Sequence, residues 1–87
     1  MNVSKLNRII SGSSKKEIQL GETLIISNND VLDLRGKIVQ SIADPVFQIR
    51  GSYWTIMNGK LRAMNGVLFD CINSSSGLIL NVWATGI

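Results

Sequence analysis

Apolar side chains recur along this chain every 22 to 24 residues. Leu24, Phe47 and Phe69 form one column, and Ile26, Ile49 and Cys71 a second. Leu32, Trp54 and Leu78 make a third, Leu34, Ile56 and Leu80 a fourth, and Ile38 and Leu61 begin a fifth. Within each stretch, neighbouring column residues such as Leu24 and Ile26 stand two apart, which is the strand period of one side chain in and the next out. The columns break on turn formers at equivalent places: Ser27-Asn28-Asn29-Asp30, Arg50-Gly51-Ser52, and Asn73 through Gly77. A unit of strand, corner and strand, with no helical periodicity inside it, predicts an all-β solenoid whose parallel strands stack from one unit to the next. A leucine-rich repeat would need the L-x-x-L-x-L-x-x-N pattern, which no copy has, and a hexapeptide solenoid would repeat every ~18 residues. A small antiparallel sandwich or barrel is the competing architecture.

Ahead of the repeats, Val3, Leu6, Ile9 and Ile10 are spaced three or four apart behind Ser4, which predicts a short amphipathic helix over residues 4 to 10. It is too short to stand alone. Two uses fit it, a lid over the open apolar end of the first unit or a disordered tail. Ser11-Gly12-Ser13-Ser14 reads as a joint, and Ile18-Gln19-Leu20 as a lead-in strand before a turn at Gly21-Glu22. The chain therefore divides into a basic arm or capping helix, residues 1–16, and a strand domain, residues 17–87.

Composition narrows the chemistry. An 87-residue chain is one domain that hides only about 63 per cent of its unfolded surface, a thin margin. Open strand edges at both ends of a solenoid thin it further, so help from partners is expected. The single cysteine rules out an intrachain disulfide. With no histidine, the usual general base and the commonest metal ligand are missing, so no Ser-His-Asp or Cys-His set can form. Cys71, in a column otherwise filled by isoleucine, reads as a small buried hydrophobe. No apolar run approaches a membrane span, and the first twenty residues lack the apolar core of a secretory signal. Of the net charge of +3, Lys5, Arg8, Lys15 and Lys16 place +4 in the first sixteen residues, leaving the rest near −1. Such a head suits a docking arm. Without interleaved aromatics or a P-loop, zinc-finger or RNP-like motif, nucleic acid is not the expected partner.

The run Ile18-Gln-Leu-Gly-Glu-Thr-Leu-Ile-Ile26, followed by Asn28-Asn-Asp-Val-Leu-Asp-Leu-Arg-Gly36, resembles the opening turns of right-handed parallel β-helices of the pectate-lyase-like superfamily. Trp54-Thr-Ile-Met-Asn-Gly59 is similar to their recurrent strand-then-Asn-Gly corner. Many bacteriophage tailspikes and other trimeric virion proteins are built this way. The resemblance spans residues 18 to 86, and its motifs speak to fold more than to function. It implies a short right-handed parallel β-helix of about three turns, assembled as a homotrimer along the helix axis.

Polysaccharide-cutting members of that superfamily place acids on neighbouring turns, and a carboxylate couple for glycoside hydrolysis needs a separation of about 5 to 9.5 Å. Here the outward columns read Ile25, Gln48, Asp70 and Asp33, Thr55, Ile79, each with one acid and no couple. Asp30 and Asp44 fall at corners, where such side chains bond their own turn backbone, and Asp70 is placed to pair with Arg50. No catalytic, cofactor-binding or metal-binding residue is therefore assigned. The outward positions Ile25, Val31, Tyr53, Met57, Leu68, Ile72, Ile79 and Trp83 are unusually apolar and predict a subunit interface. A one-residue slip in register would exchange the two faces.

Taken together, these features lead to the expectation of a non-catalytic bacteriophage structural protein: a trimeric β-helix in the virion that decorates or cements the capsid or forms part of a tail spike or fibre. Its partners would be copies of itself and other virion proteins, such as the major capsid protein or tail proteins, with no membrane and no cofactor. The alternative is a carbohydrate-binding or polysaccharide-cleaving module using Trp83, Tyr53 and Trp54 as stacking platforms. A nucleic-acid-binding accessory protein, betrayed by steep salt dependence, is a third class.

Overall fold

The computed structural model describes residues 1–72 and 76–86. Helix α1 (Val3–Gly12) is followed by strands β1 (Glu17–Leu20), β2 (Leu24–Ile26), β3 (Val31–Asp33), β4 (Ile38–Ser41), β5 (Phe47–Ile49), β6 (Trp54–Ala63), β7 (Phe69–Cys71) and β8 (Gly77–Thr85). The fold is all-β apart from α1, and every strand pairing among the described residues is parallel.

Three layers stack. The first holds β2, β3 and β4, the second β5 and the long β6, and the third β7 and the long β8. One sheet runs β2-β5-β7; in the other, β3 lies beside the first half of β6 and β4 beside its second half, β1 flanks β4, and β8 covers β6. Parallel partners point to the same side, so the registers define true columns. Leu24↔Phe47↔Phe69 and Ile26↔Ile49↔Cys71 are as expected. The Phe47 and Phe69 rings stack at 5.4 Å with an interplanar angle of 23°.

The later columns differ from the sequence reading. Leu32 lies beside Ile56 and Ile56 beside Ile79, so the column is Leu32, Ile56, Ile79. Trp54 instead sits beside Gly77, while Leu78 and Leu80 lie over Thr55 and Met57 on the outside and are exposed. Leu34 bonds into the same corner, its N–H donating to the Met57 carbonyl at 2.8 Å. The fifth column is Val39 with Leu61, not Ile38, which lies beside Lys60. Corner length explains the slip. Between aligned residues Ile26↔Ile49↔Cys71 and Val31↔Thr55↔Leu78 the chain spends four, five and then six residues, and an added corner residue changes which side chains reach the core.

Leu24, Ile26, Leu32, Leu34, Val39, Phe47, Ile49, Trp54, Ile56, Leu61 and Ala63 make one buried core. Cys71 belongs to a core column but is exposed; among the described residues β7 pairs with β5 alone. At the opposite end α1 is the lid. Its spacing buries Val3, Leu6 and Ile10 against the first layer. Asn2 rather than Ser4 is the N-cap, its side-chain oxygen accepting the Lys5 N–H at 2.8 Å. The Met1 carbonyl accepts the Ile25 N–H at 2.8 Å, and Asn7 Nδ2 donates to the Val31 carbonyl at 2.8 Å, so α1 also occupies the backbone edge of β2 and β3.

Candidate functional site

The three outer faces differ in chemistry. Beside the β2-β5-β7 sheet the outward column is Ile25, Gln48, Asp70, polar after its first, half-buried member. Beside β1-β4 and the second halves of β6 and β8 it is Glu17, Ile38, Lys60, Trp83 and then Gln19, Gln40, Arg62, Thr85. The face made by β3 and the first halves of β6 and β8 is the most apolar, with four of six outward side chains aliphatic or methionine. Its columns are Val31, Thr55, Leu78 and Asp33, Met57, Leu80, with Val31 48 %, Leu78 53 % and Leu80 54 % exposed.

Tyr53 stands at the corner leading into this face, 74 % exposed. Its φ of 60° is a left-handed conformation that costs a bulky residue roughly 1–2 kcal/mol. The turn is held by the Tyr53 N–H donating to the Ser76 carbonyl at 2.6 Å. An aromatic ring is thus projected into solvent beside three exposed aliphatic side chains, an arrangement suited to burial against another protein surface.

The eight outward residues expected from sequence to form an interface do not share one face; Val31 lies on the face just described. Met57 lies in the apolar face, half-buried, and Tyr53 at its rim. Ile25 is half-buried on the β2 face, and Leu68 packs against the core. Ile72 is exposed just after β7, Ile79 continues the Leu32–Ile56 column but is half-exposed, and Trp83 lies round the corner above Lys60. Leu78 and Leu80, placed in the core from sequence, belong to the outer face instead. Their alternation is the same in either register, so only the corner length could have revealed this.

A surface cleft of about 520 Å³ lies next to Trp83, lined by Gly36, Asn58, Gly59, Lys60, Asn81 and Trp83. Asn58 and Asn81 are successive corner residues with φ of 64° and 56°, a conformation asparagine tolerates. They form a ladder: Asn81 Nδ2 donates to Asn58 Oδ1 at 3.2 Å, and Asn58 Nδ2 to Asp33 Oδ1 at 3.4 Å. Lys60 Nζ lies 5.8 Å from the centre of the exposed Trp83 ring, within cation–π range. Trp54, the third aromatic considered for stacking, is buried and absent from the cleft.

Asp30, Asp33, Asp44 and Glu22 have structural work. Asp30 Oδ2 accepts the Ser27 N–H at 2.8 Å, Asp33 Oδ1 the Arg35 N–H at 3.0 Å, and Asp44 Oδ1 the Val67 N–H at 3.0 Å. Arg50, expected opposite Asp70, donates from Nε to Gln48 Oε1 at 2.7 Å. Glu22 lies 3.1 Å from the Met1 ammonium. The hydrogen bond and the charge of that ammonium, with Lys5 nearby, hold the Glu22 carboxyl below the usual carboxylate range.

The basic head is folded onto the body. Lys5 and Arg8 are exposed on α1, and Lys15 and Lys16 lie exposed in the link to β1. Lys37 Nζ fastens that link by donating to the carbonyls of Ser13 at 2.9 Å and Lys15 at 2.6 Å. Among the described residues no cluster of three or more His, Cys, Asp or Glu side chains could hold a metal ion, and no helix is long and apolar enough to cross a membrane. No family model, curated protein or solved structure matches the chain.

Proposed function

We propose that this chain is a short right-handed parallel β-helix that acts as a non-catalytic structural protein of a bacteriophage-type particle, assembling laterally as a trimer. The observation that carries this reading is the chemical contrast among the faces. Of three outward faces, the one bearing Val31, Met57, Leu78 and Leu80 is mostly apolar, interrupted by Thr55 and Asp33, while the other two carry mainly charged and amide side chains. One apolar face per prism-shaped subunit favours a closed ring in which each copy turns that face toward a common axis. Burying it would add the support that so small a domain needs. The α1 end, with Lys5, Arg8, Lys15 and Lys16 exposed, then offers a cationic surface for acidic groups on a capsid or tail protein. That is how such a subunit would decorate a shell or root a spike.

Sedimentation equilibrium tests the assembly. The wild-type chain is expected at three chain masses, and Leu78→Glu with Leu80→Glu at one, since both side chains are exposed and their exchange leaves the core intact. A wild-type chain that stays single at every concentration contradicts the lateral assembly.

A second reading is favoured by the cleft beside Trp83. An exposed indole flanked by two asparagine amides and a lysine is suited to saccharide binding, the ring stacking on the apolar face of a sugar and the amides bonding its hydroxyls. Quenching or shift of tryptophan fluorescence on titration with capsular or lipopolysaccharide-derived oligosaccharides, lost in Trp83→Ala, would support it. No response at millimolar sugar would exclude it.

A further inference from the structure

Folding sorts the charges of this chain by face, an arrangement that their order in the sequence hides. Six of the nine basic residues lie on or beside the face made by β1, β4 and the second halves of β6 and β8. Lys15 and Lys16 lead into β1, Arg35 and Lys37 flank the corner into β4, and Lys60 and Arg62 point outward from β6. The acids beside them are Glu17 and Asp33, so this side carries +4 and the remaining residues together carry −1. Two surface clefts meet here. The cleft of about 520 Å³ that reaches Gly36, Asn58 and Asn81 and a smaller one of about 130 Å³ that reaches Ile38, Arg62 and Thr85 share Lys60 and Trp83 as walls. Together they make one groove along the second half of β6, with no acidic side chain in its lining. Among the described residues the one ion pair is that of Met1 with Glu22, so no carboxylate neutralises any of the six basic groups. Lys60 Nζ faces the Trp83 ring, Arg62 Nη1 donates to Gln40 Oε1 at 3.0 Å, and Lys37 donates to backbone carbonyls. The groove therefore offers uncompensated cations beside an indole that is 72 % exposed.

We propose that this groove binds single-stranded nucleic acid without sequence preference, the phosphodiester backbone following the cations and a base stacking on Trp83. The basic head lacks an interleaved aromatic, and the fold supplies one by placing Trp83 beside Lys60. Outward residues two apart on a strand are separated by ~6.6 Å, so Lys60 and Arg62 set successive charges along the groove, and Arg35, Lys15 and Lys16 widen the positive field around it. A polymer with one charge per unit suits such a row, and every base offers a π-face to the indole. An anionic saccharide suits it less well, because the amides that would bond its hydroxyls already bond each other and Asp33: Asn81 Nδ2 donates to Asn58 Oδ1, and Asn58 Nδ2 to Asp33 Oδ1. No carboxylate in the lining is present to accept from those hydroxyls either. With three to four phosphates in contact, log K should fall against log salt with a slope of about −2 to −3. The groove lies round the Asn81 corner from the face that carries Leu78 and Leu80, so this binding does not depend on lateral assembly.

Fluorescence anisotropy of a labelled oligo(dT) of about 15 nucleotides, titrated with the whole chain between ~50 and ~200 mM salt, tests this. The expected dissociation constant is roughly 1–10 μM at the low-salt end, weakening about 20- to 50-fold across the range. Trp83→Ala should weaken binding about tenfold without changing the salt slope, and Trp83→Phe should retain most of the affinity. Lys60→Gln with Arg62→Gln should make the slope shallower by about 1.4, the share of two phosphates. Lys5→Gln with Arg8→Gln, on α1, should leave affinity and slope unchanged. Each variant is checked for an unchanged circular-dichroism spectrum. No binding at ~50 mM salt, a slope that survives loss of Lys60 and Arg62, or an affinity indifferent to Trp83→Ala would each overturn the proposal. So would binding that is lost with Lys5 and Arg8, or an oligouronate of equal charge that binds more tightly than oligo(dT).

Discussion

Gly77 is the position where the observed layering can be challenged with one methyl group. A Cβ there would lie 2.0 Å from Trp54 Cε2 and 2.1 Å from Cζ2, far inside the 3.4–4 Å of ordinary contact. Trp54 is buried in the layer beneath, so neither the ring nor β8 can give way cheaply. Overpacking of this kind costs about 1–3 kcal/mol. Gly77 has no positive φ that would penalise alanine, and Gly→Ala lowers unfolded-chain entropy by the equivalent of about 0.4–1 kcal/mol. The net expectation for Gly77→Ala is a loss of about 1–2 kcal/mol, or roughly 5–15 °C in melting temperature for a domain of this size. In a Trp54→Leu background, itself costing about 3 kcal/mol, the ring is gone and Gly77→Ala should be neutral or mildly stabilising. Urea unfolding of the four proteins gives the coupling between the two sites, expected at about 2 kcal/mol. If Leu78 instead lay over Trp54, as the sequence alone suggests, Gly77 would be a corner residue indifferent to the methyl group. A Gly77→Ala effect that is stabilising, or equal in both backgrounds, would refute the observed register.

The lid should behave as part of the core: Ile10→Ala, at a site 1 % exposed, is expected to cost about 2–5 kcal/mol by thermal or urea unfolding. Lys37→Met keeps the aliphatic stem but removes both ammonium bonds to the 13–15 link. With charge-assisted bonds worth about 1.5–3 kcal/mol before solvent screening, a loss of about 1 kcal/mol is expected, with faster amide exchange at residues 14–16. The lowered Glu22 pKa means that its contact with the Met1 ammonium is complete above the ordinary glutamate range and lost as pH falls through the lower folded-state value. Carbon-detected titration of Glu22 should therefore give a midpoint below that of an unstructured glutamate, and blocking the amine should move it back up.

The sequence carried the period, the first two columns and the lid helix, because each is written in hydrophobic spacing over a whole element. Leu24 and Ile26, Phe47 and Ile49, and Phe69 and Cys71 stand two apart in successive copies, and Val3, Leu6 and Ile10 keep a helical stripe. It did not carry the third and fourth columns, because corner length has no hydrophobic mark: the corners lengthen from four to six residues, and any of Leu78, Ile79 and Leu80 could be aligned over the core. Ile38 and Val39 posed the same ambiguity, both apolar and adjacent. The apolar outer face was legible only in part. Met57 and Tyr53 face outward as their spacing predicts, but the spacing of Leu78 and Leu80 fits the core equally well, and the Asn81 corner separates Trp83 from the stripe it would otherwise join.

The central claim is that stretches 22–24 residues apart lie side by side in parallel with the registers described. Inter-strand proton contacts in the nuclear magnetic resonance spectra of uniformly labelled protein test it most directly. The expected pattern is a parallel-strand network linking Leu24 to Phe47 and Phe47 to Phe69, Leu32 to Ile56 and Ile56 to Ile79, and Val39 to Leu61. Close Hα–Hα contacts of antiparallel type between these strands, or a network joining Leu32 to Trp54 and Trp54 to Leu78, would contradict it.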